Sequence, residues 1–330
     1  MAARQEHAVG VLSLGAHVPE TVVTNEMIAD WTSVRVEWIA RATGILERRY
    51  APRGQSTSSL AEPAAKEALA GASGPVDALV FATATPDQFT PPTATALQHL
   101  LGLSGSAAFD VNAACGGFVY GLALAHGLIL SVSGIANVLV VGADQYSKVV
   151  NRADRTTAPI FGDGAGAVML GEVPEGFGIK AVSLAAYGEH QDEVGIFAGG
   201  TREPLTPESV GGQRATVHMN GRVVRRLFIE KVSALTRQVA DEAGWTLGDV
   251  DRFVFHQGNP VMLREVADAL GVEAARVGET ASVLGNTGCA SVPLTLHHLH
   301  RVDPLRRGER LIVAGAGAGL TAGAVALVWW

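Results

Sequence analysis

Short, unbroken apolar runs recur along the chain, each closed by small or polar residues. They are Val76-Asp77-Ala78-Leu79-Val80-Phe81, Val138-Leu139-Val140-Val141-Gly142, Val250-Asp251-Arg252-Phe253-Val254-Phe255 and Leu311-Ile312-Val313-Ala314-Gly315. Runs of this length without strict polar alternation predict strands buried on both faces. Between them, helical periodicity predicts helices over Leu60 to Gly71, 118 to 130 and Leu235 to Gly244. The first of these opens with Ser59-x-x-Glu62, a capping-box signature. The stretch Phe118 to Val141 is apolar enough to be tested as a membrane span, but His126, Gly127, Ser131, Ser133, Gly134 and Asn137 interrupt it. It reads as a helix, a turn at Ser133-Gly134 and a strand.

The pattern repeats itself. Val76 and Val250 lie 174 residues apart, as do Cys115 and Cys289, and Val138 and Leu311 lie 173 apart. Strand-helix-strand units present twice, with strands apolar on both faces, imply sheets covered by helices on either side. The halves are taken as residues 1–172 and 173–330. Sites in such architectures gather at strand ends and helix N-termini where the halves meet.

Composition narrows the class. Of 330 residues, 48% are hydrophobic and 17% charged, which suits a large buried core and excludes a disordered chain. A net charge of -7 gives no support to binding nucleic acid or an anionic membrane. Two cysteines make a disulfide framework implausible and point to a reducing compartment. Met1 to Gly10, with Arg4, Glu6 and His7, lacks a signal-peptide core, so the expected location is the cytoplasm.

Three places carry candidate chemistry. In Phe109-Asp110-Val111-Asn112-Ala113-Ala114-Cys115-Gly116-Gly117-Phe118 a strand gives way to small residues and then to a helix. A thiol at a helix N-terminus faces unpaired N–H groups and the positive end of the dipole, which favours the thiolate. A lone cysteine is also commonly an inert buried hydrophobe, so its partners decide. His256, in Phe255-His256-Gln257-Gly258-Asn259, closes a strand and is placed for proton transfer or charge stabilisation. Asn286 offers an amide between glycines in Leu284-Gly285-Asn286-Thr287-Gly288-Cys289-Ala290-Ser291. The run Gly162-Asp163-Gly164-Ala165-Gly166-Ala167 is faintly similar to a dinucleotide fingerprint but precedes a strand, expected at Ala167 to Leu170, instead of opening a helix. Its small residues suit close backbone packing.

These motifs closely resemble those around the Cys, His and Asn of the beta-ketoacyl-ACP synthase III family, within the thiolase superfamily. Glu37-Trp38-Ile39, Arg41-Ala42-Thr43-Gly44-Ile45, Asp154-Arg155 and Phe161-Gly162-Asp163-Gly164 extend the resemblance along the whole chain. It implies an α/β thiolase fold, with duplicated βαβαβαββ halves in a layered α-β-α-β-α arrangement, and a homodimer. It implies that Cys115 takes an acyl group from acyl-CoA. A malonyl thioester, free or on an acyl carrier protein, then loses carbon dioxide and condenses with it while His256 and Asn286 stabilise the enolate, which primes a fatty-acid or polyketide chain. The N–H groups of Cys115 and Ala318 would form the oxyanion hole. Trp38 and Arg155 would hold the adenine of CoA, Arg41 its phosphates, and Asn259 and Gly221 the pantetheine arm. CoA thioesters are substrates here; no cofactor or metal is implied.

Departures concern the second substrate. Ala316 and Leu320 stand where the family commonly has aromatics, and Pro260-Val261-Met262 replaces an arginine that helps dock the carrier. Asp268 and Ala269 replace a lysine pair, while Arg222, Arg225 and Arg226 share one helix face that could meet an acidic carrier or CoA phosphates. The alternative is an acyltransferase that passes the acyl group to a hydroxyl or amine without forming a carbon-carbon bond. The partner subunit is expected to reach the acyl pocket through Gln88-Phe89-Thr90-Pro91-Pro92, where small Thr90 suggests room for more than acetyl. Residues 195–212 are expected to form a long loop near the tunnel mouth.

Overall fold

The computed structural model describes residues 8–210 and 212–330; residues 1–7, within the N-terminal stretch read above, and Gly211 lie outside the described residues. The first half opens with β1 (Ala8–His17), followed by β2 (Thr21–Thr24), α1 (Asn25–Thr32), α2 (Val36–Thr43) and β3 (Glu47–Tyr50). It continues through α3 (Thr57–Ala70), β4 (Ala78–Ala82), α4 (Thr93–Leu100), β5 (Ala107–Val111), α5 (Gly117–Ser131), β6 (Val138–Gln145) and β7 (Asp163–Val173). The second half runs through β8 (Gly178–Ala186), the short pair β9 (Val194–Gly195) and β10 (His218–Met219), α6 (Gly221–Glu242) and β11 (Arg252–Phe255). It ends with α7 (Pro260–Leu270), α8 (Ala281–Leu284), α9 (Ser291–Val302), β12 (Arg310–Gly317) and β13 (Thr321–Val328). The expected division at 172/173 falls one residue before the end of β7.

The sequence repeat is one sheet built twice. The sheets have strand orders β1-β7-β6-β4-β5 and β11-β12-β13-β8. In each, a parallel pair (β4 with β6, β11 with β12) leads into an antiparallel one (β6 with β7, β12 with β13). The outer pair β1 on β7 is matched by β8 on β13.

Side chains alternate within the apolar runs and so serve two cores. Leu79, Phe81, Leu139 and Val141 face α3, packing on Leu60, Ala61, Ala64 and Ala68. Val80, Val140 and Val168 face the opposite way, toward Phe118 and Leu122 of α5 and Val292 and Leu296 of α9. Val254, Val313 and Val325 of the second sheet meet the same two helices, and α6 covers that sheet's far face with Leu227, Phe228, Val232 and Val239. The order of layers is therefore α-β-α-β-α, with α5 and α9 in the middle. Fully burying one such side chain contributes about 1.5–3 kcal/mol. Residues 114–131 are long and apolar enough to cross a membrane by composition, but α5 is packed between the two sheets.

Three boundaries differ from expectation. The cap of α3 is Ser56, whose Oγ accepts from Ser59 N while Ser59 Oγ accepts from Ser56 N. The box thus lies one turn earlier than Ser59/Glu62, because Asp87 grips Ser58 N and Oγ and fixes the first turn there; Glu62 pairs with Lys66 instead. Helix α6 starts at Gly221, not Leu235, since Leu227, Phe228 and Val232 extend the same apolar face upstream. The glycines at 162–166 run into β7 itself, which begins at Asp163. An added Cβ would lie 2.2 Å from Leu284 O at Gly162 and 2.7 Å from Pro293 Cβ at Gly166, so their bareness lets the α8–α9 segment press onto the first sheet.

Gly142 makes the sharpest test of that approach, since its added Cβ would lie 2.4 Å from the carbonyl oxygen of Cys289. Gly142→Ala is expected to destabilise by about 2 kcal/mol, read as a lower urea midpoint at unchanged slope. Gly127→Ala, within α5 and with nothing within 4 Å, should be neutral or stabilising.

Candidate active site

Cys115 follows a turn that both halves hold in place. After β5, Ala114 adopts φ 45°, a left-handed conformation that costs a non-glycine residue about 1 kcal/mol or more. The turn is held by Asn112 Oδ1 accepting from Ala114 N (3.1 Å) and by Gly116 N and Gly117 N donating to Ala113 O and Ala114 O. From the second half, Thr321 Oγ1 donates to Ala113 O (2.7 Å) and Cys289 Sγ to Ala114 O (2.9 Å). Gly317 lies so close that an added Cβ would be 2.5 Å from Cys115 N, which sets the end of β12 against the backbone of Cys115; residues 315–317 are paired strand, and the turn begins at Ala318.

His256 caps β11, its N–H donating to Ala314 O and its Nδ1 lying 2.7 Å from Ser291 Oγ. The neighbouring Gln257 is fully buried and uses its whole amide: Nε2 donates to Phe255 O and Gly278 O, and Oε1 accepts from Thr280 N and Ala281 N. That fixes the chain on which the imidazole stands. Asn286 bridges to Ile160 and Gly162 through its backbone, and its Oδ1 accepts from Gly288 N (2.9 Å). With Oδ1 so engaged, the amide NH₂ is the end left for the cavity.

The electrostatics correct one expectation. Burial first, and the nearby Asp144 second, push the Cys115 thiol up to about 12, against weaker help from Tyr146 and its own N–H. Position before α5 is therefore not enough to create a thiolate; the helix's first N–H groups are already spent on Ala113 O and Ala114 O. The sulphur needs a base. Burial holds His256 down to about 4, so its imidazole is neutral at physiological pH and can accept a proton.

One cavity of about 230 Å³ joins these residues. Cys115, His256 and Asn286 line it, together with Trp38, Arg155, Gly221, Asn259 and Ala318. Asn259 also caps α7, Oδ1 accepting from Met262 N. Arg41 does not line the cavity; it is exposed on α2, one turn beyond Trp38. Arg225 does line it, but its guanidinium is paired with Glu265 of α7 (Nε to Oε2 2.7 Å), so it offers no free charge to a partner. Val194 of β9 and Met219 of β10, the strand pair that brackets the 195–212 segment, also line the cavity. Sequence reasoning missed Asp144, Tyr146 and Arg48. Asp144 left a trace, a carboxylate closing an apolar strand. Arg48 is buried with Nη1 donating to Asn25 Oδ1 and Val23 O and Nη2 to Pro159 O, which ties β3 to the segment before Asn286's partner Ile160.

A duplicated five-layer fold with a thiol, an imidazole and a carboxamide on one cavity defines a thiolase-fold condensing enzyme. Family models for 3-oxoacyl-[acyl-carrier-protein] synthase III match residues 109–188, and for its C-terminal part residues 240–329. The chain belongs to this ketosynthase III family. It is 41% identical over 325 residues to the acetoacetyl CoA synthase NphT7 of Streptomyces sp. (strain CL190), covering 97% of this chain and 98% of the relative. Among solved structures it is similar to 3-oxoacyl-(acyl carrier protein) synthase III, FabH, of Pseudomonas aeruginosa PAO1 (TM-score 0.89, 38% identity, 98% of each chain). The priming beta-ketosynthase of the R1128 polyketide pathway also superimposes (TM-score 0.89, 30% identity, 100% of this chain and 99% of that one).

Because the native imidazole of His256 holds near 4 and an unfolded one near about 6.5, the unfolded state binds the extra proton between those values. Stability from this group is complete above pH 6.5 and is lost as pH falls toward 4, by about 3 kcal/mol. Imidazole NMR signals of His256 should therefore not titrate between about pH 5.5 and 8.

Proposed function

We propose that Cys115 is the acyl-carrying nucleophile of a decarboxylative condensation, and that one imidazole serves both of its halves. In the first half His256 takes the thiol proton, the thiolate attacks the acyl-CoA carbonyl, and the tetrahedral adduct expels CoA thiolate, which receives that proton. The N–H groups of Cys115 and Ala318 hold the oxyanion. In the second half the malonyl carbon-carboxylate bond breaks, carbon dioxide leaves, and the bond pair becomes an enolate whose oxygen accepts from Asn286 NH₂ and His256. The enolate carbon attacks acyl-Cys115, collapse expels the Cys115 thiolate and releases a 3-oxoacyl thioester, and the thiolate takes up one proton from water to restore the thiol.

The observation that carries this reading is the pair of contacts that aim the donors: Asn286 Oδ1 on Gly288 N and His256 Nδ1 on Ser291 Oγ. A base needs a bare Nε2, whereas a donor needs Nε2–H. Ser291's hydroxyl can accept from Nδ1–H or donate to bare Nδ1, so it supports either tautomer, which a carboxylate would not. Transfer to an alcohol or amine would make no enolate and leave Asn286 without a task; the relatives above are condensing enzymes.

Trp38 and Arg155 at the cavity mouth hold the adenine of CoA between an indole and a guanidinium, with Gly221 and Asn259 beside the arm and Arg41 outside it near the phosphates. The pairing of Arg225 with Glu265 removes one cation that an acidic carrier would use, and this favours free malonyl-CoA as the extender. The similarity to an acetoacetyl CoA synthase supports that choice. A homodimer in the cytoplasm completes the reading; for the dimer, β5 is an edge of its sheet among the described residues, and Phe89 on the 88–92 loop is 85% exposed.

Incubation with acyl-CoAs and intact-mass analysis should show one acyl group on Cys115 and none on Cys115→Ala, followed by carbon dioxide release when malonyl-CoA is added. Asn286→Ala is expected to keep acyl loading but lose about 10²–10³ in decarboxylation rate. Loading followed by transfer to an alcohol or amine without carbon dioxide would refute the condensing reading, and equal loss of both steps in Asn286→Ala would remove its assigned role. Ser291→Asp, which locks Nδ1–H, should leave decarboxylation more impaired than loading.

A further inference from the structure

The two walls of the adenine slot come from different parts of the chain. Trp38 stands on α2, and Arg155 on the irregular segment that joins β6 to β7. Trp38 is half-exposed, but its neighbour Ile39 is fully buried in a small core with Val23, Ile28 and Tyr50, against which Trp31 also packs. That core holds α1, α2 and β3 together. Arg155 is exposed, and the turn that carries it is closed by Asp154, which accepts from Thr156 N and Oγ1 and from Thr157 Oγ1. These bonds shape the turn without tying it to α2.

One side chain makes that tie. The Arg152 guanidinium lies 4.7 Å from the centroid of the Trp31 ring and 5.8 Å from that of Tyr50, both within reach of cation–π attraction. Trp31 and Tyr50 are themselves stacked, with centroids 6.1 Å apart. Asn151, Ala153, Asp154, Arg155 and Thr156 all line a second cavity of about 330 Å³; Arg152 does not, because its side chain is turned toward α1.

Resting on the adenine reading above, we propose that Arg152 is a positioning residue for CoA. By stacking on Trp31 and Tyr50 it fixes the gap between Arg155 and Trp38, and so sets the affinity for the nucleotide end of the acyl donor without touching it.

A slot for a flat ring works at one width, since opening a gap of about 0.5–1 Å already forfeits a quarter to a half of a dispersion contact. Arg48 pins the far end of the Arg155 segment through Nη2 to Pro159 O, and Lys148 pins the near end through Nζ to Pro52 O and Arg53 O. Between those pins Arg152 makes the contact that reaches the core under Trp38. A guanidinium suits the task, being planar, permanently charged and weakly hydrated, so it lies on aromatic faces at the surface at every physiological pH. Because Arg152 is exposed, its effect is a few-fold one.

The test measures acyl loading of Cys115 by intact mass, with acetyl-CoA and with acetyl-pantetheine, which lacks the nucleotide. Arg152→Ala should raise the acetyl-CoA concentration for half-maximal loading about three- to fivefold. The maximal loading rate, and the half-maximal concentration of acetyl-pantetheine, should stay within about twofold of wild type. Arg152→Lys, which restores a cation, should fall between the two. Trp31→Leu should match Arg152→Ala, and the double variant should be no worse than either alone. An unmoved acetyl-CoA concentration in Arg152→Ala would overturn the proposal, and so would an equal rise for both donors, since a merely structural lesion does not discriminate between them. Additive losses in the double variant would overturn the stack on Trp31 as the route. Arg155→Ala judges the premise separately: no selective loss of acetyl-CoA there refutes the adenine reading and this inference with it, whereas a selective loss in Arg155→Ala but not in Arg152→Ala overturns the inference alone.

Discussion

A single buried carboxylate organises the centre of the molecule. Asp144, fully buried at the end of β6, accepts from Thr83 Oγ1, Ala84 N, Thr85 N and Thr85 Oγ1 on Oδ1, and from Cys289 N on Oδ2. Four of these donors belong to the first half and the fifth to the second. Burial raises its pKa and these bonds oppose the rise. Losing the Cys289 N–H would leave Oδ2 buried without a donor, a costly fault in a core. The loop carrying Asn286, Gly288 and Cys289 is thereby fixed against the strand that leads into Tyr146. Gly288 itself, at φ 57°, passes so near that an added Cβ would be 2.1 Å from Asp144 Oδ2.

Reactivity is built around that centre by supporting contacts more than by the reactive groups alone. The thiol is pushed up and the imidazole down by the same cause, removal from water, so in isolation each is held in its neutral form. Neutral partners that exchange a proton only when charge appears between them suit a site that must protect a thioester and then break it. What remains directional is supplied by fixed dipoles: the bridged amide of Asn286, the hydroxyl of Ser291, and the close-set end of β12.

Much of this was legible in the sequence. The spacing of 174 residues between Val76 and Val250 returned as two sheets of matching strand order, and Cys115 and Cys289 as residues preceding the equivalent middle helices α5 and α9. Local signals were weaker where a distant residue decided. The cap of α3 moved because Asp87 holds Ser58, and Cys115 lost its expected thiolate because burial outweighs a helix end whose N–H groups are already bonded. Arg225 looked free on its helix because Glu265, its partner, is forty residues away. Tyr146 offered no signal at all, since nothing in the order of residues reveals that its hydroxyl meets a sulphur thirty-one positions earlier.

The middle layer has a consequence for either half taken alone. Helix α5 of the first half shares its core with strands of the second, and α9 of the second packs across the bare glycines of β7 in the first. A half standing alone would present that whole apolar surface to water. Each half therefore supplies the surface that keeps the other folded, and a single half would have to cover that face by pairing with a second copy of itself.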